Sequence, residues 1–338
     1  MKVTIKDVAK KAGVSASTVS RALRNNNRIS PEVRARVQQV ARELNFHPNQ
    51  MARSLVKRHT PIIGVVFPND LSMNLGNPFY PSVLQGLGHA ASERRHHVLL
   101  ITGSETLSPS ESSRQAVESG YVSGLIRLTA ESVPGCEEEA PVVFIGHPTD
   151  ADSRYYVDNA NAQAGYEAAR HLLEHGHRRI LLAGYDPQYI FTVDRREGYE
   201  RALREAGIAV REDSILPCGP LLRDDSGDAL RRLFCAPGRP TGVVCMDDAQ
   251  AIALCRRLDA LGLRVPRDVS VVSFNNTEAS RYHNPPLSTF DLQPYQLGVR
   301  AMNLMLDMLT GAVTAPTSIN VPFTLIQRQS VADCREGD

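Results

Sequence analysis

The chain has 338 residues, 42% apolar and 22% charged, with a net charge of +1. That length predicts two or three domains with sizeable cores, and no apolar run approaches the ~18 residues that a membrane span needs. Six scattered cysteines without a C-x-x-C pair argue against a zinc ribbon and a disulfide scaffold, and predict reduced thiols in a cytoplasmic protein. The opening residues Met1 to Asp7 lack the apolar stretch of a secretory leader. Charge is unevenly distributed. Residues 1–60 hold 13 of the 38 Lys and Arg but only three of the 37 Asp and Glu, so a basic head precedes an acidic body. That asymmetry is the footprint of a nucleic-acid-binding module joined to something else.

Three short helices are predicted in the head. Thr4 is an N-cap with Asp7 three residues on, Val8, Ala9 and Ala12 make an apolar face, and Gly13 ends the helix. Ser15 caps a second helix, apolar at Val19, Ala22 and Leu23 and polar at Ser17, Thr18 and Arg21. Ser30-Pro31 opens a third, whose Val33, Val37, Val40, Ala41 and Leu44 form a core stripe. Two helices across a tight Gly turn, the second basic outside, make a helix-turn-helix. Its second helix would lie in the major groove of double-stranded DNA, where Arg reads guanine and small hydroxyls read either base edge.

These residues resemble the opening signature of the lactose-repressor (LacI/GalR) family: Thr4-Ile5-Lys6-Asp7-Val8-Ala9, then Ala12-Gly13-Val14-Ser15, then Ser17-Thr18-Val19-Ser20-Arg21. Arg28-Ile29-Ser30, Leu44-Asn45-Phe46 and Pro48-Asn49 are further landmarks. The resemblance implies DNA contacts from Thr4, Ser15, Ala16, Ser17, Thr18, Arg21 and Arg24, the last standing where the family usually carries Asn. The stretch Asn49 to Lys57 is two helical turns long, marginal in water by itself. The resemblance implies a hinge helix there that folds on DNA beside its twin in a homodimer, with Leu55 as a minor-groove wedge.

Beyond Pro61, buried-strand runs alternate with helical stretches. Strands are predicted at 62–67, 97–101, 124–128, 142–145, 180–183, 242–246 and 269–274, with helices at 80–94, 162–174, 194–206 and 248–261. Alternation of this kind means parallel sheets covered on both faces, with ligands outside the strand carboxyl ends. Similarity to the family runs through His175-Gly176-His177, Arg195 with Gly198-Tyr199, Val265-Pro266 with Asp268-Val269, and Pro285-Pro286-Leu287. It implies a periplasmic-binding-protein-like core of two doubly wound lobes, 61–160 plus 291–321 and 161–290 plus 322–338, behind a helix-turn-helix domain (1–48) and a hinge (49–60). The chain would cross between lobes near Asn161, Asp291 and Val321.

The family's effector cleft falls on Phe79, His147, Asn161, Phe191, Arg195, Asp247 and Asn275. Asp247 and Asn275 stand where many members have Asn and Asp, so one carboxylate and one amide remain, still suited to a polyol. Ala160 and Gly146 occupy positions where Asp is frequent. Val157-Asp158-Asn159, Ser273 to Asn276 and Tyr295 to Gly298 are similar to the maltose/α-glucoside branch, which implies a sugar effector.

No G-x-S-x-G, P-loop, H-E-x-x-H or strand-to-helix G-x-G-x-x-G occurs, so neither an enzyme nor a cofactor is expected. His171, His175 and His177 read as helix-end histidines rather than as metal ligands. The expectation is a dimeric transcription regulator, a repressor gated by a sugar, with a constitutive DNA binder carrying a vestigial cleft as the alternative.

Overall fold

The computed structural model describes residues 3–23, 28–46, 60–67, 76–104, 106–128, 139–148, 154–217 and 227–334. The chain divides into two compact units, 1–60 and 61–338.

The first unit is helical: α1 (Ile5–Ala12), α2 (Ala16–Ala22) and α3 (Pro31–Glu43). Each start is capped as the sequence demands. The backbone N–H and hydroxyl of Thr4 both donate to the Asp7 carboxylate, at 2.8 and 2.7 Å. Ser15 Oγ accepts from the Thr18 N–H and Ser30 Oγ from that of Val33, which satisfies donors the helix itself cannot. Gly13 sits at φ 65°, left-handed, and lets the chain reverse between α1 and α2. Val8, Val19, Ala22 and Val37 are fully buried where the three helices meet.

The second unit contains two six-stranded sheets. In chain order its elements are β1 (Ile62–Val66), α4 (Phe79–Glu93), β2 (His97–Ile101), α5 (Pro109–Glu118), β3 (Gly124–Arg127), β4 (Val142–Ile145), β5 (Tyr156–Asp158), α6 (Asn161–Glu174), β6 (Ile180–Tyr185), α7 (Ile190–Glu205), a 3-10 turn at Glu212–Ser214, β7 (Ile215–Pro217), α8 (Gly227–Phe234), β8 (Gly242–Cys245), α9 (Asp248–Ala260), β9 (Ser270–Phe274), α10 (Glu278–Tyr282), β10 (Ser288–Asp291), α11 (Pro294–Thr310), β11 (Ser318–Asn320) and β12 (Thr324–Ile326). Lobe 1 carries the order β11-β5-β4-β3-β1-β2, parallel throughout. Lobe 2 carries β12-β10-β9-β8-β6-β7. Its sheet is parallel except for β12, which pairs antiparallel with β10. That edge strand departs from an all-parallel sheet, a common arrangement on large α/β sheets.

Helices cover both faces of each sheet. On lobe 1, α4 and α11 seal one face around Ile63, Val65, Leu87 and Met305, while α5 helps seal the other. On lobe 2, α6 and α7 cover one face around Leu182, Tyr199 and Phe274, and α8 and α9 the other. The paired helices cross closely through glycine. A side chain at Gly86 would collide with the Tyr295 backbone, and one at Gly298 with that of Val83. Gly165 and Gly198 perform the same service between α6 and α7.

The chain passes between lobes three times, after β5, after β10 and after β11. One buried amide gathers all three passages. Asn159 lies in the first and donates through Nδ2 to Leu292 O in the second (3.0 Å) and Val321 O in the third (2.8 Å).

Candidate nucleic-acid interface and effector site

In the first unit, Ser17 and Arg21 are exposed one turn apart on α2, opposite the buried Val19 and Ala22. Ser15, Ser17 and Thr18 form a hydroxyl cluster, with Ser15 Oγ 2.8 Å from Ser17 Oγ and 2.9 Å from Thr18 Oγ1. Ser15 is thus committed to the cap, and Ala16 packs partly against the helical core. Thr4 is likewise engaged with Asp7. Ser17 and Arg21 remain the exposed polar side chains of α2. Arg24 and Leu55, and with Leu55 the stretch Asn49 to Lys57, lie outside the described residues.

In the second unit, the polar centre is Arg195. It projects from the second turn of α7 and is only 4% exposed. Nε donates to Asn161 Oδ1 at 3.0 Å, and Nη1 to the Met246 carbonyl at 2.7 Å. Its guanidinium lies 4.1 Å from the Phe274 ring centroid and 4.9 Å from that of Phe191, both within cation–π range. Helix α7 begins at Ile190, four residues before the predicted start, so Phe191 and Arg195 sit one turn apart on the same face. Gly165 lets α6 approach the backbone of Arg195 itself. Burial pushes the guanidinium down to about 10, against the pull of Asp158, Asp247 and Asp194, so it stays charged at neutral pH.

From Arg195 a chain of polar contacts runs toward lobe 1. Asn161 Nδ2 donates to Asp158 Oδ1 at 3.1 Å, and Asp158 Oδ2 accepts the His147 N–H at 3.1 Å. His147 Nε2 then meets Asp194 Oδ2 at 2.8 Å. His147 follows β4 in lobe 1 and Asp194 is on α7 in lobe 2, so this ion pair bridges the lobes. The hydrogen bond to Asp194 raises His147 to about 9 despite partial burial. Burial raises Asp158 to about 6, opposed by hydrogen bonds from Asn159 and His147. Ligand atoms of His147, Asp158 and Asp194 lie within 4.8 Å of one another, a spacing that would suit a cation, but the short His147–Asp194 contact already occupies two of them.

Asp247 caps α9, its Oδ1 accepting from Gln250 N at 2.8 Å, and burial raises its carboxyl. Tyr80 of lobe 1 feels both Asp247 and Tyr189 of lobe 2, and burial lifts its phenol to about 12. A cavity of about 440 Å³ opens beside this network, between Phe79 and Ser82 of lobe 1, Asn275 to Thr277 of lobe 2, and the crossing residues Asp291 and Gln293. Asn275 and Asn276 both have positive φ, 101° and 49°, which asparagine tolerates. Asn276 is fixed by Asp291 Oδ2 (3.1 Å) and Arg328 Nη2 (2.5 Å).

The structure therefore sorts the sequence-selected cleft residues into two groups. Phe79 and Asn275 line the cavity; Arg195, Asn161 and Phe191 touch one another, with His147 joined through Asp158. Asp247 serves a cap within the field of Arg195. Asp158, Asp194, Phe274 and the Met246 carbonyl were not singled out as site groups in the sequence. Asp158 and Phe274 stand only within the stretches Val157 to Asn159 and Ser273 to Asn276, and Asp194 and Met246 only beside Arg195 and Asp247.

Residues 4–49 match the model described as bacterial regulatory proteins of the lacI family, and residues 169–331 match a periplasmic binding protein-like domain. The transcriptional regulator MalR of Streptococcus pneumoniae is 33% identical over 317 residues, 91% of this chain and 93% of MalR. This chain belongs to the LacI family. LacI-family membership makes it a DNA-binding transcription regulator with an effector domain, not an enzyme. The repressor PurR of Erwinia tasmaniensis is 30% identical, covering 98% of this chain and 97% of PurR. Among solved structures, a complex of the regulator CelR with cellobiose is 28% identical at a TM-score of 0.71, covering 97% of this chain and 99% of that one. Among the described residues of this LacI-family chain, no helix is long and apolar enough to cross a membrane.

Proposed function

We propose that this regulator is a cytoplasmic homodimeric repressor of a pseudo-palindromic operator, released or recruited by a sugar bound between the lobes. The observation that carries the reading is Arg195: a buried cation between two aromatic rings, surrounded by Asn161, Asp158 and Asp247, at the meeting of the lobes. Aromatic faces and paired amide and carboxylate groups are what a sugar's rings and hydroxyls need. The solved complex of CelR with cellobiose supports a saccharide, and the stretches Val157 to Asn159, Ser273 to Asn276 and Tyr295 to Gly298 support the α-glucoside class. Helix-turn-helix dimers engage two half-sites a helical turn apart, which makes the operator two-fold.

In this reading residues 1–48 contact DNA, 49–60 form the hinge with Leu55 as wedge, and Arg21 and Ser17 read bases. The lobes comprise 61–160 plus 291–321 and 161–290 plus 322–338. Gel-shift titration on the region upstream of the neighbouring operon, with maltose, cellobiose and related sugars, is the test. A sugar-dependent shift in operator affinity supports the reading, and no effect from any sugar overturns its sensor half.

A second reading is a constitutive DNA binder with a vestigial cleft. It is favoured by the contacts Arg195 already makes to Asn161 and Met246 O, which engage two of its five N–H donors without a ligand. Calorimetry on the full chain separates the two, because the vestigial cleft binds no sugar at all.

A further inference from the structure

A second cavity, of about 310 Å³, opens on lobe 2 between one face of α6 and the sheet edge at β10 and β12. None of its lining residues lines the inter-lobe cavity. Its apolar wall is Phe290, Phe323 and Leu325, the two rings edge-to-face with centroids 5.7 Å apart. Its polar wall is Glu167, Arg170, His171 and Glu174, successive residues of one helical face. The volume lies at the lower end for small-molecule sites, and an apolar wall with a few convergent polar groups is their usual make-up.

His171 is the residue that points to a ligand. It is only 6% exposed and lines the cavity, yet among the described residues nothing donates to or accepts from its ring nitrogens. Its one neighbour of note is the His175 ring, at 4.6 Å. Its ring nitrogens are therefore open to the cavity, where a ligand's polar group can take the place of water. Burial, and after it the His175 charge, lowers its affinity for a proton, so it is a neutral acceptor or donor at pH 7. The wall's charge is negative. Arg170 is its single cation and is already held between Glu167 (2.6 Å) and Glu174 (3.5 Å), which leaves one carboxylate charge in excess.

We propose that this cavity is a second ligand site, for a small organic amine: an apolar or aromatic body against Phe290, Phe323 and Leu325, and an ammonium shared by His171 and Glu174. An anion is disfavoured by the two carboxylates. The site is independent of the sugar reading, but not remote from it. Phe323 meets Phe290, Phe290 stacks on Phe274 at 5.3 Å, and Phe274 underlies the Arg195 guanidinium.

The chain has no tryptophan, so Phe323→Trp installs a single tryptophan in the wall, excited selectively above the range of tyrosine absorption. Titration of that full-length variant with 2-phenylethylamine at pH 7.5 is expected to give a saturable change. 2-Phenylethanol should bind more weakly and 3-phenylpropionate not at all. Glu174→Gln in the same background should weaken the amine about tenfold, the loss expected for one charge-assisted contact. Saturation-transfer NMR on the unaltered chain should give the same ranking, and His171→Leu should abolish the signal. The proposal is overturned by absence of saturable amine binding in both measurements, by equal binding of amine and carboxylate, or by Glu174→Gln and His171→Leu leaving affinity unchanged. Displacement of the amine by a cleft-bound sugar at matched occupancy would assign it to the cleft and overturn the proposal too.

Discussion

Replacing Asp194 by Asn removes a charge from the inter-lobe pair while keeping a polar group of the same shape opposite His147. The raised affinity of His147 for its proton, from 6.5 to about 9, sets a ceiling of about 3.4 kcal/mol on the pair. The His147 side chain is 33% exposed and that of Asp194 15%, so screening reduces the expected contribution to about 1–2 kcal/mol. The sign follows from the direction of the shift. A raised histidine contributes fully below its unperturbed value of 6.5, and the contribution is lost as pH rises through about 9. The carboxylates facing His147 are Asp194 and Asp158, and Asp158 itself titrates near 6, so the useful window lies above that. Thermal unfolding of wild type and Asp194→Asn, followed by circular dichroism from pH 6.5 to 10, should give Tm values apart by about 2–4 °C at the acid end. The two should converge near pH 10. A difference that is the same at both ends, or absent at both, would refute the argument that a charged bridge joins the lobes.

Gly165→Ala should lower Tm and displace Arg195, because the new methyl meets the Arg195 backbone; the cost is about 1–3 kcal/mol, read by thermal melts. Asp248→Asn should cost about 2–4 kcal/mol in denaturant unfolding, since its buried carboxylate accepts from Ser273 Oγ, Thr289 Oγ1, and the N–H and hydroxyl of Thr277, and an amide presents donors to donors. Arg21→Ala should cost about 1–3 kcal/mol at one base pair of the operator and relax specificity there, measured by gel shift on single-base variants; a uniform loss would assign Arg21 to phosphate.

The head was legible because its caps are local. Thr4, Gly13, Ser15 and Ser30-Pro31 determine starts and stops without help from the rest of the chain. In the body, the apolar runs that became β1, β4, β6, β8 and β9 stood out since both their faces are buried. Strands β5, β7, β11 and β12 have three residues each, too few for any period, and exist because a neighbouring strand offers its edge. The early start of α7 was hidden by Ile190-Phe191-Thr192-Val193, aromatic and β-branched residues behind a Tyr189 that makes no side-chain cap. Helix α11 was overlooked although Pro294 at its first turn and Gly311 past its end mark it. The site was half legible. Arg195, Asn161 and Phe191 come from one lobe and its nearby helices. The His147–Asp194 bridge needs both lobes in contact, which no local pattern encodes.

Asn159 has a mechanical consequence. One amide nitrogen holds the carbonyls of Leu292 and Val321, so any turning of one lobe on the other that preserves both bonds must pivot close to that atom. Displacement in a rigid rotation grows with the arm. Asn161 stands two residues from the pivot and moves little, whereas the far rims of the lobes sweep a long arc through the same angle. The molecule is in this sense a lever with its fulcrum beside the cleft: sub-ångström adjustments around Asn161 and Arg195 become excursions of several times that size at the periphery, and a slack fulcrum would lose that gain before any contact to a ligand was altered.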